Sequence, residues 1–309
     1  MTLSTDELVQ FMSNILKYEY FIYKKIFDYV FIPCSDKSEI TKDVKYIRVI
    51  PDKHTKKVKT DAFFGCVNIE MVILDKSVET LGYSAFDRCI NLKYIQINEN
   101  LKHIGILAFY RCKSLEYVVL NKNLITIDRL AFCECKNLLF INTTKCEKLE
   151  SINWSAFYIC LNLLSFIFPD TVHKIGEFIF NNCRKLKHVK LPINSNFTTL
   201  SKGIFKNCVN LIDINLPKSI LVIDEHACDG CFRLENITWP NNLEEIKDYA
   251  FEECFAINET RLPSSIKNIE SRAFEYYLFR APKYYDKMGI RTWSKTKAKC
   301  DDWSIPNEW

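Results

Sequence analysis

One feature constrains the fold more than any other: the chain repeats itself. A phenylalanine recurs as Phe63, Phe86, Phe109, Phe132, Phe157, Phe180, Phe205, Phe251 and Phe274, with Cys228 standing in the slot between Phe205 and Phe251. The steps are 23 residues, except for two of 25 that end at Phe157 and Phe205. Three residues past each marker stands a cysteine: Cys66, Cys89, Cys112, Cys135, Cys160, Cys183, Cys208, Cys231 and Cys254, with Tyr277 in the last unit. A unit of this size cannot bury its own apolar face. Ten such units, over about residues 58–279, must stack, each completing the core of its neighbour.

The unit from Cys183 to Phe205 shows how. Leu186, Val189 and Leu191 read as the inward side chains of a short strand, and Pro192 ends it because proline cannot donate to a ladder. A second apolar pair follows, Phe197 and Leu200 here, Leu101 and Ile104 or Ile220 and Ile223 elsewhere. Just beyond that pair stand Gly82, Gly105, Asp128, Asn153, Gly176 and Asp224, residue types that tolerate positive φ. They predict a left-handed corner there, followed by a helical or 3₁₀ turn over A-F-x-x-C. Stacking then gives a parallel sheet along one side. The two longer units carry their insertions at about Thr144–Glu147 and Ile193–Asn196, which should bulge from one edge.

The pattern L-x-x-I-x-x-x-A-F-x-x-C-x-x-L-x-x-I-x-L-P, matched by LEEIKDYAFEECFAINETRLP and LKHIGILAFYRCKSLEYVVL, resembles the BspA-type (Treponema-type) leucine-rich repeat, of the kind found in large sets in anaerobic protists. The resemblance implies an α/β leucine-rich repeat solenoid, a mostly-β right-handed horseshoe, and a role in protein interaction, since bacterial members are surface adhesins. It supplies no catalytic residues. Thr143, Trp239 and Thr260 depart from it at strand positions that are usually aliphatic.

The ends read differently. Ser4-Thr5-Asp6-Glu7 is a capping-box string, and Leu8, Phe11, Met12, Ile15 and Leu16 recur at helical spacing. Residues 1–57 are therefore predicted to form a helical N-terminal cap and lead-in, residues 58–279 the solenoid, and residues 280–309 a C-terminal cap with a basic and aromatic tail carrying Trp293, Trp303 and Trp309.

A formal net charge of +4 is too slight to argue for nucleic acid. No apolar run reaches the roughly 18 residues of a membrane span, and the first residues lack the pattern of a secretory signal. The expected setting is cytoplasmic, the alternative being a cell surface reached by an unconventional route; the sequons at Asn142, Asn153, Asn196, Asn236 and Asn258 read as unused. The 14 cysteines invite metal or disulfide readings, above all Cys228-Asp229-Gly230-Cys231 and the Cys133, Cys135 pair. Register opposes both. Cys135 and Cys231 are ordinary repeat cysteines and Cys228 fills a core slot, so reduced buried thiols are expected. No nucleotide-binding or hydrolase motif is present, and the five histidines, His54, His103, His173, His188 and His226, fall at different repeat positions. The chain reads as a non-enzymatic scaffold without metal or cofactor, monomeric, and bound by a protein partner. The alternatives are an adhesin, or a substrate-recognition adaptor that docks through its N-terminal helices.

Alternation within each strand locates the surface for that partner. The side chains leaving the sheet away from the core are Met71 and Ile73, Tyr94 and Gln96, Tyr117 and Val119, Phe140 and Asn142, Ser165 and Ile167, His188 and Lys190, then Asp213, Asn215, Asn236 and Thr238 and finally Glu259 and Arg261. The first half is apolar and aromatic, the second polar and charged. The predicted binding face is concave and centred on Tyr94, Tyr117 and Phe140.

Overall fold

The computed structural model describes residues 30–33, 44–257 and 262–275. All of them lie within the first of two compact units, Met1–Tyr277. Among the described residues there is no helix. In chain order the strands are β1 (Val30–Pro33), β2 (Tyr46–Ile50), β3 (Lys57–Val58), β4 (Met71–Leu74), β5 (Thr80–Leu81), β6 (Tyr94–Gln96), β7 (His103–Ile104), β8 (Tyr117–Val119), β9 (Thr126–Ile127) and β10 (Phe140–Asn142). They continue as β11 (Ser151–Ile152), β12 (Ser165–Ile167), β13 (Lys174–Ile175), β14 (His188–Lys190), β15 (Thr199–Leu200), β16 (Asp213–Asn215), β17 (Val222–Ile223), β18 (Asn236–Thr238), β19 (Glu245–Ile246) and β20 (Asn268–Ile269).

All pair in parallel, as two ladders, and the chain is a parallel solenoid of about ten turns. The first ladder runs β1-β2-β4-β6-β8-β10 and resumes as β12-β14-β16-β18; the second runs β3-β5-β7-β9-β11-β13 and resumes as β15-β17-β19-β20. Each break adjoins a two-residue insertion. After β10, Thr143 uses its side-chain hydroxyl to donate to the Ile167 carbonyl. The first insertion also sends Cys146 back into the core, whereas the second leaves Ile193 73% exposed.

The helical cap expected over residues 1–57 is not met in its described part. Val30–Pro33 and Tyr46–Ile50 are strands that extend the first ladder, with Val30 opposite Ile47 and Tyr46 opposite Met71. Runs of β-branched and aromatic residues such as Tyr-Ile-Arg-Val-Ile favour this outcome. The Ser4–Leu16 stretch lies outside the described residues, as do Tyr277, Glu259, Arg261 and the tail.

Phenylalanine is what fills each turn. Phe63, Phe86, Phe109, Phe132, Phe157, Phe180 and Phe205 are fully buried and stack nearly parallel, with centroid separations from 5.0 Å for the first pair to 5.9 Å for the last. Cys228 interrupts the column, and Phe251 and Phe274 resume it at 5.2 Å. The cysteine column runs alongside. Each thiol donates to the marker carbonyl of the preceding turn, as Cys89 to Phe63 O, Cys135 to Phe109 O and Cys254 to Cys228 O, all at 3.1 Å. Only the ends are looser: Cys66 and Phe274 are half-buried.

The third side of each turn departs from expectation. The A-F-x-x-C segment is a run of hydrogen-bonded turns, and its alternate amides reach the next repeat: Ser84 N to Ile106 O, Phe86 N to Ala108 O and Arg88 N to Tyr110 O, at 2.8 to 2.9 Å. Positive φ falls two residues before and two after the marker, as in Ser84 (φ 48) and Arg88 (φ 57), and not at the corner glycines. Gly82 and Gly105 serve a different need. A Cβ on either would sit 2.5 Å from a carbonyl oxygen of the preceding turn, that of Val58 or Leu81.

The corner after the first-ladder strands is satisfied in two ways. Asn98 and Asn121 spend their side-chain amides on backbone carbonyls of the turn before, Asn121 Nδ2 donating to Asn98 O at 2.6 Å and Leu101 O at 3.0 Å. Pro192, Pro217 and Pro240 take that place further on and present no N–H to satisfy.

Candidate functional site

The ladder register assembles the predicted face. Tyr46, Met71, Tyr94, Tyr117 and Phe140 are direct neighbours in one row, and Ser165, His188, Asp213 and Asn236 form the corresponding row beyond the break. The middle residue of each strand, from Val72 and Ile95 to Ile214 and Ile237, belongs to the main core. The row residues therefore leave by the other side of the sheet.

Their exposure is uneven, and five residues expected on the face are not accessible, Ser165 at 1% among them. Phe140 is 4% exposed because it packs in a small cluster of its own with Tyr117, Leu139 and Ile167. Asn142 is buried with its Oδ1 turned back to accept from Thr144 N at 2.9 Å and Thr144 Oγ1 at 2.7 Å. Met71 and Ile73 are buried too, yet outside the main core cluster. The accessible apolar centre is thus smaller than expected. Tyr94 and Tyr117 are half-buried and stacked at 6.2 Å and 9°, Gln96 is half-buried beside them, and Val119 is 39% exposed.

The polar half is open. His188 Nδ1 lies 3.2 Å from Asp213 Oδ1, Thr238 Oγ1 donates to Asn215 Oδ1 at 2.8 Å, and Lys190 and Asn236 are exposed. The flank of the apolar half is charged in register. Glu70 sits between Lys45 and Lys93, at 2.9 and 3.1 Å, and the Lys45 hydrogen bond holds its carboxyl below the usual carboxylate range.

A family model for the BspA type leucine rich repeat region matches residues 24–162 and 150–278, in six copies. The chain belongs to the BspA-type leucine-rich repeat family. Among solved structures it is similar to a leucine-rich repeat protein from Bacteroides ovatus, at 26% identity and a TM-score of 0.55, over 78% of this chain and 52% of that one. It therefore spans about half of that protein. It is also similar to a leucine-rich repeat protein from Eubacterium ventriosum, at 20% identity over 81% and 89% of the two chains with a TM-score of 0.49. The T. pallidum Leucine Rich Repeat protein gives 23% identity over 70% and 81%, with a TM-score of 0.41. No curated protein sequence matches it. Membership of this family is consistent with a protein-interaction or adhesin-like role. Among the described residues no helix is long and apolar enough to cross a membrane.

One constellation in this BspA-type chain escaped the sequence reading. His226 stands beside Asp229 and Glu252 on the turn side of the solenoid. Burial first, and the charge of Asp229 second, push the Glu252 carboxyl up to about 7. The signal was available: His226 and Asp229 are three apart, and Asp229 and Glu252 are one period apart in the same column.

Proposed function

We propose that this BspA-type repeat protein is a non-enzymatic interaction scaffold that holds a protein partner on the outward face of its first ladder. The observation that supports the reading most directly is the stacked pair Tyr94 and Tyr117 with exposed Val119 beside it, followed along the same rows by open polar residues from His188 to Thr238. Rigid aromatics at the centre of a patch, with polar groups around them, are what the energetically dominant part of a protein interface requires. A parallel ladder fixes their spacing at about 4.8 Å per turn, so an extended or ridged partner surface could be read turn by turn.

We further propose a reducing compartment such as the cytoplasm as the setting, which suits the eleven buried free thiols among the twelve described cysteines. The test is quantitative affinity capture from the native cell with wild-type chain and a Tyr94→Ala, Tyr117→Ala, Val119→Ala variant. Specific partners should be lost by at least about 30-fold, the equivalent of about 2 kcal/mol, while the melting temperature stays within a few degrees. Capture of the same partners at equal strength defeats the assignment, and glycans on the native chain point to surface display instead.

A further inference from the structure

We infer that the turn side of the solenoid binds a divalent cation of the zinc class through His226 Nδ1, Asp229 and Glu252.

The residue following each marker forms a column on that side, and over three consecutive turns it reads Lys206, Asp229, Glu252. Asp229 Oδ2 accepts from Lys206 Nζ at 2.5 Å and lies 2.8 Å from His226 Nδ1. Glu252 Oε2 lies 4.0 Å from the same ring nitrogen, and the three potential ligand atoms are all within 4.8 Å of one another. Glu252 is the least satisfied member of the cluster, its nearest cationic partner being the His226 ring at 4.0 Å. Its side chain is only 10% exposed, yet it makes no hydrogen bond among the described residues. A carboxylate mostly withdrawn from water gains from a closer positive charge, and the single ammonium nearby is already placed on Asp229.

The ring is held ready. His226 stacks on Tyr249 at 4.8 Å and 4°, and Tyr249 in turn lies under the Arg272 guanidinium at 4.5 Å. This fixes the imidazole plane, so Nδ1 stays directed at the two carboxylates. Zinc takes nitrogen and carboxylate ligands at about 2.0–2.2 Å in a tetrahedron, which sets them roughly 3.3–3.6 Å apart. The observed 2.8 and 4.0 Å straddle that spacing, so side-chain shifts below about 1 Å close the set and leave a fourth position for water. Calcium and magnesium are hard cations that favour all-oxygen shells, whereas an imidazole nitrogen at the centre of the set suits zinc. The Lys206 ammonium is the occupant that must give way. Its side chain, like that of His226, is 26% exposed and can swing into solvent.

The test uses the full chain, freed of metal by a chelator and dialysed, with Zn²⁺ titrated by calorimetry and Co²⁺ as the spectroscopic probe. One Zn²⁺ should bind, and the Co²⁺ spectrum should show d–d bands without thiolate charge transfer, which excludes the cysteines as ligands. Glu252→Gln should weaken Zn²⁺ at least tenfold. Lys206→Gln should tighten it at least threefold, because the competing cation is gone; a merely structural cluster would not respond in this way. The inference fails if no Zn²⁺ binds at millimolar concentration, if thiolate bands appear, or if Glu252→Gln leaves affinity unchanged. Should Glu252→Gln unfold, unchanged or weaker binding by Lys206→Gln is sufficient to reject the site.

Discussion

If the solenoid is held turn by turn, its energetics should be nearest-neighbour, and the phenylalanine column offers a direct test. Phe132 stacks on Phe109 at 5.1 Å and on Phe157 at 5.5 Å, and all three are fully buried. Truncating such a residue to alanine costs about 3–5 kcal/mol, enough to unfold many domains, so leucine is the better probe. A Phe→Leu change keeps most of the buried area and should cost about 1–2 kcal/mol. Part of that is the ring pair itself, about 0.5–1.5 kcal/mol beyond burial. Phe109→Leu and Phe132→Leu each break the same contact, so the double variant should be less destabilised than the sum by about 0.5–1.5 kcal/mol. Phe86→Leu and Phe180→Leu lie four ring steps apart, share no neighbour, and should add within about 0.5 kcal/mol. The assay is equilibrium urea unfolding followed by circular dichroism and by fluorescence, with coincident curves required before a free energy is assigned. Equal coupling in both cycles, or none in the contacting pair, would refute the nearest-neighbour account.

Three further outcomes follow from particular residues. Gly105→Ala should destabilise by about 2 kcal/mol or more, because its Cβ would lie 2.5 Å from the Leu81 carbonyl oxygen; Gly65→Ala, at φ 69 but with nothing within 4 Å, should cost only about 1 kcal/mol in the same urea assay. Asp87→Asn should stabilise by about 1 kcal/mol at pH 7.5 and by nearly nothing at pH 4, read as urea midpoints. Burial pushes the Asp87 carboxyl up to about 6 against the opposing charges of Arg88 and Arg111, and its Oδ1 finds no hydrogen-bond partner. A folded-state value above the unfolded one means that this stability is present at low pH and lost as pH rises through 6; a gain independent of pH would be the wrong result. Native thiol labelling at pH 8 should spare the eleven buried cysteines, whose thiols burial raises, Cys146 to about 12; mass spectrometry after denaturation should then count 14 reactive thiols.

Most of this architecture is legible from the chain because a solenoid turns sequence spacing into spatial neighbourhood. Phe109 and Phe132 stack because they are one period apart, and the same arithmetic aligns Tyr94 with Tyr117 and hangs Cys135 on the Phe109 carbonyl. What periodicity cannot carry is backbone conformation within the turn. Leu107, Phe178 and Tyr249 adopt φ of 57°, 55° and 60°, values that residue preference would reserve for glycine or asparagine. The compensation is nonlocal: the Leu107 and Phe178 amides reach Arg129 O and Lys202 O in the next turn at 3.0 and 2.9 Å, and a strained φ is held in place by its neighbours.

The candidate face shows a second limit. Alternation tells by which side of the sheet a side chain leaves, and the contrast between Ile141 in the main core and Phe140 in a cluster of its own bears that out. It says nothing of how far that side is covered, which is a property of the surrounding groups. Hence Met71 at 2% and Val119 at 39% exposure carry the same sequence signature. The partner surface is therefore better sought around Tyr94, Tyr117 and Val119 than at Phe140. There the row of Gln96 and Val119 runs beside the stacked tyrosines, so the accessible apolar surface is set by how far neighbouring groups cover each row and not by alternation alone.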